Sequence, residues 1–194
     1  LPAVKVSIQA VTLQMAAEQV FGPGNANKLD PLTVSMRHPD AMAALLSGKT
    51  EVTAHLTSPP FQYQELQDKR IHRVFSSYEV LGGPATFNTL WTTKKFREEN
   101  PKVFKAFDDA LDEAMEFIKR DPQKAAEIYI IEENSKVPVE AILKMIKDPE
   151  ITFTTAPQNL MKYAEFMNKI GSIENKPASW KDVFFPEIHG KEGS

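Results

Sequence analysis

The spacing of apolar positions changes once within the first 22 residues. Leu1, Ala3, Val4 and Val6 read as the end of a buried strand, whereas from Ser7 onward Ile8, Val11, Thr12, Met15 and Ala16 fall on one side of a helix. Ser7 is placed to cap that helix, with Lys5 as a charge beside its free N–H groups. Alternation resumes at Leu32, Val34 and Met36, which predicts a short strand, and His38-Pro39-Asp40 opens a second helix with proline in its first turn. Residues 50–56 are rich in β-branched side chains and predict another strand. Thr57-Ser58-Pro59-Pro60, a helix over 61–67 and a strand over 71–75 follow. This alternation predicts an α/β fold with a parallel or mixed sheet.

The pattern shifts near Glu79. Val80-Leu81-Gly82-Gly83-Pro84 is a hinge-like stretch, and residues 85–92 return to an extended composition with Phe87, Leu90 and Trp91. From there to Lys169 the periodicity is helical, with Asn100-Pro101 and Asp121-Pro122 as paired cap and first-turn signals. Over residues 101–120, Val103, Phe104, Phe107, Leu111, Ala114, Met115 and Ile118 form one stripe, which predicts a helix packed on something large. Phe104, Phe107, Met115 and Phe117 are accordingly expected in the core. The predicted organisation is an α/β lobe over 1–78, a crossover or hinge over 79–93 and a helical part over 94–194.

Composition narrows the function classes. A formal net charge of −3 over 194 residues gives no basic footprint for nucleic acid or anionic lipid. No apolar run approaches the roughly 20 residues that a membrane-spanning helix needs. The absence of cysteine removes disulfide and thiolate chemistry. The Leu-Pro start, with no initiator methionine and no leader pattern, reads as that of a mature or trimmed chain.

Enzyme signatures are sparse: no G-x-S-x-G, P-loop, G-x-G-x-x-G or H-E-x-x-H occurs. The four histidines, His38, His55, His72 and His189, lack ligand spacing, so no metal site or cofactor is expected and no catalytic residue is assigned. The acidic residues between Asp108 and Glu116, and Glu132-Glu133, have the helical spacing of a solvated face. Three loops carry the candidate site, because an α/β topology would bring them to one sheet edge. They are the turn at Lys5, Val6 and Ser7; Arg37 and His38 at the second helix start; and His55-Leu56-Thr57-Ser58-Pro59-Pro60-Phe61. The ligand-binding candidates are Lys5, Val6, Ser7, Arg37, His38, Thr57, Ser58 and Phe61.

A longer succession of motifs gives a family likeness. Pro39-Asp40-Ala41-Met42-Ala43-Ala44-Leu45-Leu46-Ser47-Gly48-Lys49, then Pro59-Pro60-Phe61, then Glu98-Glu99-Asn100-Pro101 before a long helix with Ala110 and Ala114, then Asp121-Pro122-Gln123-Lys124-Ala125-Ala126 cover most of the chain. Together they resemble the solute-binding proteins of nitrate, sulfonate and taurine type ABC transporters. The resemblance implies a two-lobed type II periplasmic binding protein fold. Residues 1–78 would be the second lobe, the helical part would belong to the first, and the family's N-terminal half-lobe would lie outside this sequence. It further implies a periplasmic or extracellular protein, membrane-associated through its transporter, with ABC permease and ATPase subunits as partners and no catalysis. The ligand would be a sulfonate, a nitrate-like anion or a heteroaromatic compound. Carried over by position, Lys5, Val6 and Ser7 match the family's cleft-facing turn, and residues 57–61 match the loop after the following strand. Lys5 and Val6 stand where the family often has small residues, and Thr57-Ser58-Pro59 where it often has Trp-Asp-Pro. Two rivals use related scaffolds: an effector domain of a transcription regulator and a pyrimidine-synthesis enzyme. Self-association of the chain, to cover the stripe over residues 101–120, is a further expectation.

Overall fold

The computed structural model describes residues 1–194 and contains helices and extended segments but no β-strand. The expected α/β lobe with its sheet is therefore overturned. The segments predicted as strands fail for one reason: a strand exists only when its N–H and C=O groups meet those of a neighbour in a ladder. Residues 3–6 close into a turn instead, with Ser7 N–H donating to Ala3 C=O (3.2 Å) and Lys5 at φ 68°. Residues 33–37 are extended, yet beyond the turns at their two ends their main chain pairs only with Leu1, through Met36 N–H to Leu1 C=O (2.8 Å) and the Leu1 amino group to Val34 C=O (3.2 Å). Residues 52–58 and 71–76 are likewise extended without a ladder. The β-prone composition produced extended chain, and nothing paired with it.

The chain divides into two compact units. The first comprises Leu1–Ala85 and Asn159–Ala178, and the second Thr86–Gln158 and Ser179–Ser194. In the first unit, α1 (Ile8–Phe21) is the central element, packed by the 3₁₀ segment Ala26–Leu32, by α4 (Ser77–Leu81) and by α9 (Leu160–Lys169). Ser7 caps α1, accepting from Ala10 N–H (3.2 Å). The core joins Val11, Ala26, Leu81, Tyr163 and Phe166, with Ile8, Met15, Met167 and Ile170 around them. Among the polar side chains buried in α1, Thr12 Oγ1 meets the Tyr163 hydroxyl (3.1 Å) and Gln14 Nε2 donates to the Asp30 carboxylate (3.0 Å), while Gln14 Oε1 has no partner. The first unit also holds α2 (His38–Ser47), ended by Gly48 in the left-handed conformation (φ 62°), and α3 (Phe61–Glu65), which packs on α2.

The second unit holds α5 (Lys94–Glu99), α6 (Pro101–Arg120), α7 (Pro122–Glu132) and α8 (Val139–Ile146). Asp121 caps α7 from Lys124 N–H (3.0 Å), as its Asp-Pro signal predicts. Ala126, Ile142 and Met145 are buried, and Trp180 is buried edge-on to Phe184 and His189. A Cβ added at Gly193 would lie 2.6 Å from the Trp180 ring, so only glycine permits that approach.

The expected burial of the α6 stripe is not observed. No residue of α6 is buried, and Val103 and Phe107 are each 57 % exposed. The helices α5 and α7, of 6 and 11 residues against the 20 of α6, pack on it together with the C-terminal segment, where Phe185 meets Phe104 edge-on and Lys191 meets Asp112, and they cover only part of its length. Two substitutions separate exposed from buried positions in this unit. Phe107→Gln is expected to change the unfolding free energy by less than about 1 kcal/mol, because little is lost at an exposed site. Ala126→Leu is expected to cost about 1–3 kcal/mol, because Ala126 has no exposed surface and its neighbours must move. Urea unfolding of the two variants reads the difference. No helix is long and apolar enough to cross a membrane.

Candidate functional site

The densest polar cluster of the first unit is assembled by three short pieces of chain. The start of α2 supplies His38, the extended segment supplies His55, Thr57 and Ser58, and α3 supplies Phe61 and Glu65. Extended backbone puts His55 and Thr57 on the same side, two residues apart, so both reach His38. The turn before α3 then brings Glu65, four residues into that helix, back beneath His55.

The contacts form a chain. Glu65 Oε1 lies 2.6 Å from His55 Nδ1, and His55 Nε2 lies 3.0 Å from His38 Nδ1. Thr57 Oγ1 is 3.3 Å from the same His38 Nδ1, and Ser58 Oγ is 3.5 Å from His38 Nε2. The Phe61 ring sits 5.4 Å from the His38 ring, centroid to centroid, tilted by 31°. Burial is graded along the chain. The His55 side chain is fully buried and that of Glu65 is 5 % exposed, while His38, Thr57, Ser58 and Phe61 are half-buried. The polar end of the chain is thus held from inside and presented outward.

Burial, followed by the neighbouring His55 and the Leu1 amino group, pushes the His38 imidazole below the ordinary histidine range. Its neutral form is therefore favoured, and it acts as a hydrogen-bonding group rather than a fixed cation. The hydrogen-bond directions are then constrained. A carboxylate only accepts, so His55 Nδ1 carries a proton toward Glu65. His55 Nε2 and His38 Nδ1 share one proton in their hydrogen bond, and Ser58 Oγ faces His38 Nε2. Gln62, in α3, has an Oε1 that is shielded from solvent and has no partner.

Of the residues the sequence nominated, His38, Thr57, Ser58 and Phe61 are brought together here. Lys5, Val6, Ser7 and Arg37 do not enter these hydrogen bonds. Lys5 and Val6 are exposed in the N-terminal turn, and Arg37 is exposed at the α2 cap position without a capping bond. The Ser7 hydroxyl is used locally, donating to Ala3 C=O (2.6 Å) while accepting from Ala10 N–H. It has no proton left for a ligand. Sequence reasoning missed Glu65 altogether, and it placed His55 in a candidate loop without naming it among the ligand-binding residues. The usable signal was the His55-x-Thr57 spacing in an extended segment beside a helix-opening His38.

No group of three or more metal-ligating side chains is brought together in the chain. The second unit carries two open grooves. One, of about 540 Å³, is lined by Arg97, Pro101, Phe104, Lys105 and Glu187, among others, where Arg97 pairs with Glu187 (2.7 Å) and lies over the Phe185 ring. The other is closed by Lys191, which bridges Asp112 and Thr155. In the first, Lys105 pairs with Asp109 and Glu98 with Lys94, and in the second Lys119 pairs with Glu116, all exposed. Comparison with protein-family models, with curated proteins and with solved structures finds no match to this chain.

Proposed function

We propose that the chain captures a small molecule without transforming it, at the cluster of His38, Thr57, Ser58 and Phe61, as the substrate-binding component of an ABC importer. The observation that carries the capture reading is the graded chain from Glu65 through His55 to His38. A buried carboxylate fixes a buried imidazole, which fixes a half-exposed one beside two hydroxyls and an aromatic ring. That is how a site holds polar groups in orientation for a ligand. A non-catalytic role is favoured by the Ser58–His38 separation of 3.5 Å, longer than the 2.6–3.2 Å over which a base activates a nucleophile. The importer assignment rests on the motif succession from Pro39 to Ala126, not on the fold. In that reading the protein works outside the cytoplasmic membrane, and its partners are a permease and an ATPase.

Thermal-shift and calorimetric titration of the whole chain against sulfonates, nitrate, bicarbonate and heteroaromatic compounds tests the capture reading. At a ligand concentration 100 times Kd, stabilisation of about 2.7 kcal/mol is expected. His38→Ala and Thr57→Val are expected to weaken binding at least tenfold, and Lys5→Ala to leave it unchanged. Failure of every compound to stabilise the chain, or full binding by the His38→Ala protein, overturns the site. A DNA-binding segment encoded upstream in the same reading frame, instead of neighbouring permease and ATPase genes, overturns the importer.

A further inference from the structure

We infer that residues 86–92 are a docking strand for a second copy of this chain, and that two copies pair there as an antiparallel ribbon centred on Thr89. Pairing at this segment is independent of the capture site, which belongs to the first unit. In the second unit, Thr86-Phe87-Asn88-Thr89-Leu90-Trp91-Thr92 runs without turn, bend or positive φ. Phe87 through Trp91 are all exposed, with Phe87 at 48 %, Leu90 at 62 % and Trp91 at 88 %. None of the main-chain N–H and C=O groups of residues 87–92 is bonded within the chain. A stretch of β-prone residues with its backbone free and its aromatic rings in water is a template for another strand.

One neighbour sets which edge is open. Thr86 N–H donates to Gln158 C=O (2.8 Å), and in extended chain successive residues turn their N–H and C=O groups to opposite edges. Residues 87, 89 and 91 therefore present theirs on the edge away from Gln158. The sequence about Thr89 is self-complementary on that edge. In an antiparallel pair centred there, Phe87 meets Trp91, Thr89 meets Thr89, and Trp91 meets Phe87. Aromatic and threonine pairs across two strands are stabilising, and these three are also the hydrogen-bonded pairs of the register. The contact is reciprocal, so it closes at two copies. Charge does not oppose it, because no Asp, Glu, Lys or Arg occurs between Glu79 and Lys94. The other extended runs differ: residues 52–58 are drawn into the His38 cluster, and 71–76 carry Arg73, which would face a like charge. At their observed exposures, Phe87, Leu90 and Trp91 offer about 400 Å² per copy, or about 800 Å² for a pair, which is the area of a weak interface rather than a permanent one. The dimer therefore depends on concentration.

Sedimentation velocity of the full chain, from low to high micromolar concentration, is expected to show a monomer–dimer equilibrium, with the infrared amide band of antiparallel strands growing as the dimer fills. Thr89→Pro takes one donor from each copy at the central pair and is expected to weaken the dimer by about tenfold or more, while Phe107→Gln, on the exposed face of α6, leaves it unchanged. The chain has no cysteine, so a single introduced one reports the register. Thr89→Cys is expected to link two copies under mild oxidation about tenfold faster than Asn88→Cys, whose two copies stand about 8 Å apart, beyond the reach of a disulfide. A chain that stays monomeric at every concentration, whatever else it captures, overturns the inference. So does a dimer that Phe107→Gln weakens and Thr89→Pro does not, which places the contact on α6. Equal linking at Asn88 and Thr89, or a dimer that gains no strand band, overturns the ribbon as well.

Discussion

Glu65→Ala should destabilise the first unit by about 3–5 kcal/mol and abolish ligand capture, the larger of the two effects expected at the site. Removing the carboxylate leaves the fully buried His55 side chain with an Nδ1–H that has no acceptor, and a buried donor without a partner loses its hydration for nothing. The His38 contact goes with it, because His55 Nε2 is aimed at His38 only while Nδ1 is held by Glu65. Glu65→Gln gives the informative contrast. An amide oxygen can still accept from His55 Nδ1, so the fold should survive with a loss of about 1–2 kcal/mol, in the range of a weakened charged hydrogen bond. Hydrogen exchange across α2 and α3 reads the stability term, and calorimetry reads ligand capture. If Glu65→Ala unfolds no more easily than wild type, the buried chain is not holding the site.

These residues also show how far the sequence reaches. Local signals were legible where their physics is local: Ser7 and Asp121 each satisfy a free N–H at a helix start, as a short polar side chain followed by helical spacing predicts, whereas Asn100, read in the same way, makes no capping bond. The helices 8–21, 38–47, 101–120 and 160–169 follow from the same reasoning. The strands did not, because extended composition is a property of a segment and a sheet is a property of pairs. Residues 50–56 have the right side chains and no neighbour. The α6 stripe failed in the same way, since periodicity names a face and says nothing of whether anything covers it. In the site, His38, Thr57, Ser58 and Phe61 were nominated from loops that an α/β sheet would have gathered at its edge. They meet in a structure with no sheet, through a contact between α2 and α3. His55 and Glu65 lie ten residues apart, one in a segment that reads as strand and one at a helix end, and only the fold sets them 2.6 Å apart.

Phe166→Ala should be the most damaging single change to the core of the first unit, costing about 3–5 kcal/mol. Phe166 is 8 % exposed and belongs to the cluster with Val11, Ala26, Leu81 and Tyr163, so its removal leaves a void lined by residues from α1, α4 and α9. The unit is built from Leu1–Ala85 and Asn159–Ala178, and α9 is the helix through which its second segment enters the core. Polar links from α9 are fewer and weaker. Lys169 pairs with Glu18 (2.6 Å), but its side chain is 57 % exposed, and an exposed pair contributes little. Tyr163 and Lys162 are the exceptions: the Tyr163 hydroxyl meets Thr12 Oγ1 inside the core, and Lys162 Nζ donates to Leu81 C=O. Tyr163→Phe and Thr12→Val should each cost about 0.5–1.5 kcal/mol, and less than their sum together, because both remove the same bond. Tyr163 also gives the core a pH signature. Burial pushes its phenol above the ordinary value, the Thr12 hydrogen bond only partly opposing. The unfolded chain therefore loses its phenol proton first, so the stability that Tyr163 confers is intact below pH 10 and declines as pH rises through the folded value. The slope should be smaller in Tyr163→Phe, the remainder coming from Tyr129, whose phenol is also raised by burial. Phe166→Ala should keep it while lowering stability at every pH, and a Phe166→Ala protein as stable as wild type would mean that α9 does not hold this core together.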